Sequence, residues 1–181
     1  MKVTLVVGHK ASSKGACNEN YNLSEFDYNT KIIDEVILKL SQDKSKIECF
    51  KVFRQTTYSD LPEQINELHP DIVLSFHCNA FNKKASGTEV LYYHKSKRGK
   101  LFADLFQGAI VSMLRLPDRN ILPCTSEDRG GSLLRYTNAP ALILEPFFID
   151  NDLDLERASS MKEHLVECYA DTLEFISSNY Y

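Results

Sequence analysis

The chain has 181 residues, 43% of them hydrophobic, enough for one compact domain with a single core and too short for two of ordinary size. With 25 acidic against 21 basic residues the charge is nearly balanced, so no basic field covers the surface and nucleic acid is not an expected partner. No apolar run approaches the roughly 20 residues needed to cross a bilayer, which excludes membrane insertion as an expectation.

The N-terminal run MKVTLVVGHK has a single Lys before a short apolar stretch that is briefer than a secretory core and lacks a small-residue cleavage site. It reads as a strand, Val3 to Val7, and the protein is expected to be made in the cytoplasm without a signal peptide. After a polar loop from Lys10 to Leu23, Ile32, Ile33, Val36, Ile37 and Leu40 recur at helical spacing. The spacing predicts a helix from Ser24 to Ser41, with Ser24 as N-cap and Asp27 in the first turn. Ile47 to Phe53 is a second strand, and a helix carrying Leu61, Ile65 and Leu68 follows, with Pro62 in its first turn and Pro70 just beyond its end.

Ile72 to Phe76 reads as a buried central strand. Gly87 opens a fourth strand in which Val90 and Tyr92 alternate with Leu91 and Tyr93, the pattern of an antiparallel or edge position. A long helix bears Leu101, Phe102, Leu105, Phe106, Ile110 and Met113. From Leu116 to Tyr136 the chain is rich in Pro, Gly, Arg and Asp without a sustained period, so it reads as a functional loop region with a short strand near Ile121. Ala141 to Leu144 is the last core strand, and a C-terminal helix over about 159 to 177 aligns Met161, Leu165, Tyr169, Leu173 and Ile176. The alternation predicts an α/β fold, a single domain over 1–181 with a mostly parallel, mixed central sheet of about six strands flanked by helices on both faces.

In open parallel sheets, loops converge beyond the carboxyl ends of the strands, and reactive groups gather there. His9 follows the first strand, His77 follows Ile72 to Phe76, and Glu145 ends Ala141 to Leu144. A fourth group, Glu25, opens the first helix, which right-handed connections start at the same edge. Two neutral imidazoles and one carboxylate make a zinc set that leaves a position for water, and a second, unligated carboxylate is then needed to move protons. Glu19 is a rival carboxylate in the same loop. His69, His94 and His164 read as structural or solvent-facing, with solvent the expected partner of His94.

The segments GHKASSKGACN, NLSEFDYN, SFHCNAFNKKASGTEVLYY and DRGGSLLRYTNAPALILEPFFIDN resemble the successive blocks of the zinc-dependent N-acetylmuramoyl-L-alanine amidases of the Amidase_3 family. The resemblance spans nearly the whole chain. It implies that His9, Glu25 and His77 hold a zinc ion, that Glu145 is the catalytic acid/base, and that the substrate is peptidoglycan, cut between N-acetylmuramic acid and L-alanine. Arg129, Arg135 and Asn79 are the candidates for binding substrate, ordinary loop arginines being the competing reading for the first two. Two positions depart from the family pattern. Lys10 and Ala11 stand where glycines commonly follow the first histidine, with Gly15 and Ala16 only later, which bears on the loop before Glu25. Phe147 stands where Gly is common, which bears on the wall beside Glu145.

Five cysteines, at 17, 49, 78, 124 and 168, are odd in number and widely spaced, so reduced, separate thiols are expected rather than disulfides or a thiolate zinc site. Cys78, next to His77, is expected to point away from the site, which disfavours a thiol hydrolase. A zinc peptidase acting within the stem peptide and a non-catalytic wall-binding module are the remaining alternatives. The expected enzyme is a monomer that reaches the wall after release from the cell, as a phage endolysin does.

Overall fold

Strands that are apolar on both faces must be covered on both sides, and KVTLVV, IVLSF and ALILE are of that kind. The computed structural model describes residues 1–43, 45–55 and 57–181. Its elements in chain order are β1 (Lys2–Val7), β2 (Cys17–Asn18), β3 (Leu23–Ser24), α1 (Glu25–Gln42), β4 (Glu48–Phe53), α2 (Leu61–Asn66), β5 (Ile72–Phe76), β6 (Thr88–Tyr93), α3 (Lys97–Leu114), β7 (Asp118–Cys124), α4 (Gly131–Tyr136), β8 (Ala141–Glu145), α5 (Asp152–Ser160) and α6 (Lys162–Tyr180). Six strands form one mixed sheet in the order β4-β1-β5-β8-β6-β7, and β2 pairs with β3 separately.

β4, β1, β5 and β8 run parallel, so their carboxyl ends share one edge. β6 runs antiparallel to β8, and β7 follows β6 in parallel. Val3, Leu5, Val7, Leu74, Phe76, Leu142 and Leu144 pack with apolar residues of α1, α3, α5 and α6 on one face. Val6, Val73, Ala141 and Ile143 pack with residues of α2 and α4 on the other. The α/β sandwich expected from the sequence is therefore present, with the three middle strands sealed between helix layers.

β6 is antiparallel to β8, one of the two positions its alternation allowed, and β7 continues the sheet beyond it. Three expectations need correction. In the stretch from Leu116 to Tyr136 the strand expected near Ile121 is present as the seven-residue β7, and the six-residue α4 follows it where only loop was expected. β7 shows no clear alternation because most of its residues face solvent at the sheet edge, and α4 is too short to display a helical period. The C-terminal helix is two helices broken at Met161; α5 is capped by Asn151, whose side chain accepts from the backbone N–H groups of Leu153 and Asp154. α2 ends at Asn66, leaving Leu68 beyond it.

α1 matters most for the site, because its first residue is Glu25. Ser24 caps it in extended conformation, its Oγ accepting from Asp27 N at 3.1 Å and donating to Asp27 Oδ2 at 2.7 Å. Such a cap satisfies one of the free N–H groups at a helix start. Ser24→Ala is expected to cost about 1 kcal/mol, seen as a fall of roughly 2–4 °C in Tm for a chain of this size. Unchanged thermal and urea midpoints would mean that the Asp27–Lys14 ion pair alone fixes the helix start.

Candidate active site

Because β1, β5 and β8 are parallel, the residues that follow them emerge together. His9 lies just past β1, His77 directly follows β5, and Glu145 is the last residue of β8. The structure brings His9, Glu25 and His77 together, with one donor atom from each lying within 4.8 Å of the others. His77 Nδ1 is 2.9 Å from Glu25 Oε1, and His9 Nε2 is 3.0 Å from Glu25 Oε2. The His9 approach is too oblique to be a hydrogen bond, and Nε2 is buried without a hydrogen-bonding partner. Three metal-ligating groups thus converge, with His77 bonded to Glu25 and His9 Nε2 left without a partner.

Glu25 is fully buried, and both of its oxygens are held. The backbone N–H of Cys78 donates to Oε1 at 3.1 Å, and that of Ala16 donates to Oε2 at 3.2 Å. Burial alone raises the pKa of this carboxyl, but the bond from His77 and the charge-stabilising contact of His9 outweigh it and keep the group well below the usual carboxylate range. Such an ionised carboxylate between two imidazoles is a ready cation site.

The loop before Glu25 shows how the chain manages with Lys10 and Ala11. Gly15 has φ +77°, and a Cβ there would lie 2.5 Å from the His9 ring and 2.6 Å from Glu25 Oε2. Only glycine leaves room for these side chains to meet. Gly8 does the same for His77, since its Cβ would fall 2.8 Å from that ring and 2.5 Å from the Phe76 carbonyl oxygen. Phe147 is not a pocket wall: it is fully buried and packs edge-on against Tyr28 at 5.1 Å, on the α1 side of the sheet.

His9, His77 and Glu145 form one wall of a cavity of 240 Å³. Arg54, Tyr58 and Arg129 contribute charged and polar groups to it, and Leu91 and Ile143 an apolar surface. Glu145 is buried, its Oε2 lacks any hydrogen-bonding partner, and it lies outside the three-residue cluster. Burial pushes its pKa well above the ordinary carboxylate value, the charges of Glu25 and Glu89 add to this, and Arg129 opposes it. A carboxyl with that tendency, at the wall of a cavity, is suited to holding and releasing a proton.

The other candidates fall differently. Arg129 lines the cavity, whereas Arg135 lies over the rings of Tyr93 and Tyr136, at 5.3 and 5.5 Å. Asn79 is not on the cavity wall: its Nδ2 donates to Glu89 Oε1 at 2.8 Å, and its backbone bonds to Phe147 and Ile149. Glu19 pairs with Lys83 at 3.1 Å, away from the cluster. His94 is exposed, as expected, and its Nδ1 also bonds the Cys124 carbonyl at 3.0 Å. Arg54, Tyr58 and Gly130 were not anticipated. Arg54 directly follows β4, so the strand-end rule that points to His9 and His77 points to it as well; Tyr58 lies in a stretch with no periodic signal.

Residues 3–174 match the Amidase_3 family, described as N-acetylmuramoyl-L-alanine amidase. The probable cell wall amidase LytH of Staphylococcus aureus is 29% identical over 154 residues, covering 84% of this chain and 49% of that protein. The chain spans about half the length of the curated relatives it matches. Among solved structures, an N-acetylmuramoyl-L-alanine amidase from Clostridium difficile 630 superposes with TM-score 0.86 at 24% identity, over 99% of this chain and 98% of that one. The catalytic domain of CwlV from Bacillus (Paenibacillus) polymyxa var. colistinus gives 0.82 at 20% identity, over 98% of each. At these identities the superpositions establish a shared fold, while the family match runs from the first strand into the last helix: this chain belongs to the Amidase_3 family of N-acetylmuramoyl-L-alanine amidases.

Proposed function

We propose that the protein hydrolyses the amide between the lactyl group of N-acetylmuramic acid and L-alanine in peptidoglycan, with a zinc ion held by His9, Glu25 and His77 and with Glu145 as general acid/base. The observation that carries this reading is the convergence of those three donors beside a buried carboxyl that belongs to none of their contacts. The family membership and the cell-wall relatives support the substrate.

The donor set fits the ion. Two imidazoles and one carboxylate are a catalytic zinc set with a position left open, and the orphaned, buried His9 Nε2 is a donor atom in search of an acceptor. When bound, zinc polarises the scissile carbonyl and makes water a competent nucleophile near neutral pH. Glu25, tied by two backbone N–H groups, fixes the donor geometry from behind the wall. Glu145 receives the proton of the attacking water and delivers it to the departing amine of alanine. Arg129, which acts electrostatically on Glu145, favours the ionised form that can accept that proton.

A thiol route finds no support. Cys78 is buried beside Asn29, and burial, followed by the charges of Glu25 and Glu145, pushes its thiol well above its ordinary pKa. Such a group carries almost no thiolate at neutral pH.

Digestion of cell wall is expected to release new N-terminal alanine while the reducing ends of the glycan stay constant; new amino groups on other residues would indicate a stem peptidase. Chelation should abolish activity, and zinc should restore it and raise the Tm, since a ligand at 100 times its Kd adds about 2.7 kcal/mol to the folded state. Glu145→Gln should lower kcat by about 10²- to 10⁴-fold with one zinc per chain retained, whereas His77→Ala should lose the ion. Full activity of the Glu145→Gln protein would end the proposal. Iodoacetamide at pH 8 should label exposed Cys17 first, because burial raises Cys49, Cys124 and Cys168 to about 11 and Cys78 further. Inactivation that tracks labelling of Cys78 would restore the thiol alternative.

A further inference from the structure

The cavity lining carries an unexplained cation. Arg54 is half-buried at the carboxyl end of β4, its Nε is shielded from solvent without a hydrogen-bonding partner, and it takes part in no ion pair among the described residues. Its guanidinium carbon sits 5.6 Å from the centroid of the Tyr58 ring. The Tyr58 hydroxyl in turn reaches toward the Gly130 carbonyl at 3.5 Å, next to Arg129. Gly130 has φ +80°, and a Cβ there would strike Ile143, so the backbone at this corner is committed to the cavity. Buried guanidinium N–H groups ordinarily find an acceptor, because leaving one unmet is costly.

Arg54 and Arg129 bring two positive charges to a cavity where Glu145 is the one carboxylate on the wall. The planar fork of a guanidinium matches a carboxylate in two parallel hydrogen bonds. A glycan strand runs both ways from its muramic residue and has to lie across the mouth of the cavity, whereas the stem peptide has a free end that can enter. Resting on the amidase reading above, we infer that Arg54, braced by Tyr58, is a specificity-determining residue that receives the first free carboxylate on the peptide side of the scissile amide. In the stem peptide that group is the α-carboxylate of the γ-linked D-glutamyl residue after L-alanine, which is a carboxamide when that residue is D-isoglutamine.

The test uses the zinc-loaded full chain and two muramoyl peptides that differ only in carboxylate or carboxamide at that residue. Wild type is expected to favour the carboxylate in kcat/KM by about tenfold or more, the range of a hydrogen bond to a charged group. Arg54→Gln should collapse that ratio to within about twofold, chiefly through KM, and Arg54→Lys should keep part of it, since a charge remains but the fork is lost. Calorimetry with the released peptides, one bearing the carboxylate and one the carboxamide, should show the same Arg54-dependent preference in Kd. A ratio near one in wild type, or a ratio unchanged in a folded, zinc-replete Arg54→Gln protein, overturns the subsite while leaving the amidase reading in place. Failure of wild type to cleave either substrate, with the Arg54-dependent preference in Kd intact, overturns the amidase reading and leaves the subsite standing.

Discussion

A carboxylate sealed from water has to be compensated, and the compensation of Glu25 organises everything around it. Its four contacts come from two separate places: His9 and Ala16 in the loop after β1, and His77 with the Cys78 backbone at the end of β5. Those segments are far apart in sequence, so the pairing can form only when β1 and β5 lie side by side and α1 starts at their common edge. Gly8 and Gly15 are the steric conditions for it, each leaving space that a methyl group would fill. The helix cap at Ser24 then places Glu25 at its first turn, where the partial positive charge of the helix start also favours a carboxylate.

Glu25 and Glu145 are buried near one another and are driven in opposite directions. Glu25, lowered in the folded state, contributes stability above the ordinary carboxylate range that is lost as pH falls through its folded value. Glu145, raised in the folded state, contributes stability below that range that is lost as pH rises toward its folded value. One carboxyl is therefore built to stay charged and the other to exchange its proton, although both are glutamates ending or starting regular elements. The difference lies in partners: Glu25 is hydrogen-bonded by Ala16, His77 and Cys78, and Glu145 Oε2 has no such partner. Separation of two acidic groups by environment is the usual sign of a division between holding and transferring.

Much of this is legible in the sequence because the rules involved are local. Buried strands such as IVLSF read as continuous apolar runs, and the reactive types that end them stand out against that background. β7 is legible only as a short strand near Ile121, and α4 escapes, because an exposed edge strand and a two-turn helix leave no period to detect. Asn79 shows a different limit: it stands two residues after His77, yet its side chain bonds Glu89 of β6 at 2.8 Å, and Glu89 is in turn held by Arg119 of β7 at 2.7 Å. No inspection of the SFHCNA segment alone can reveal a partner that arrives from two other strands. Phe147 is similar, its direction being fixed by Tyr28 on α1 and not by its neighbour Glu145.

The position of the cavity follows from the order in which the strands were laid down. The chain leaves β1 toward β4 on one side and leaves β5 toward β6 on the other, so the loops after these adjacent strands diverge and open a crevice. Right-handed connections put α1 on one face and α2 on the other, because the two crossovers run in opposite directions along the sheet. His9 and His77 stand at the ends of the diverging strands, and Arg54 at the end of β4, one strand further out. The cluster of His9, Glu25 and His77 and the guanidinium of Arg54 are thus placed at one edge by one topological feature.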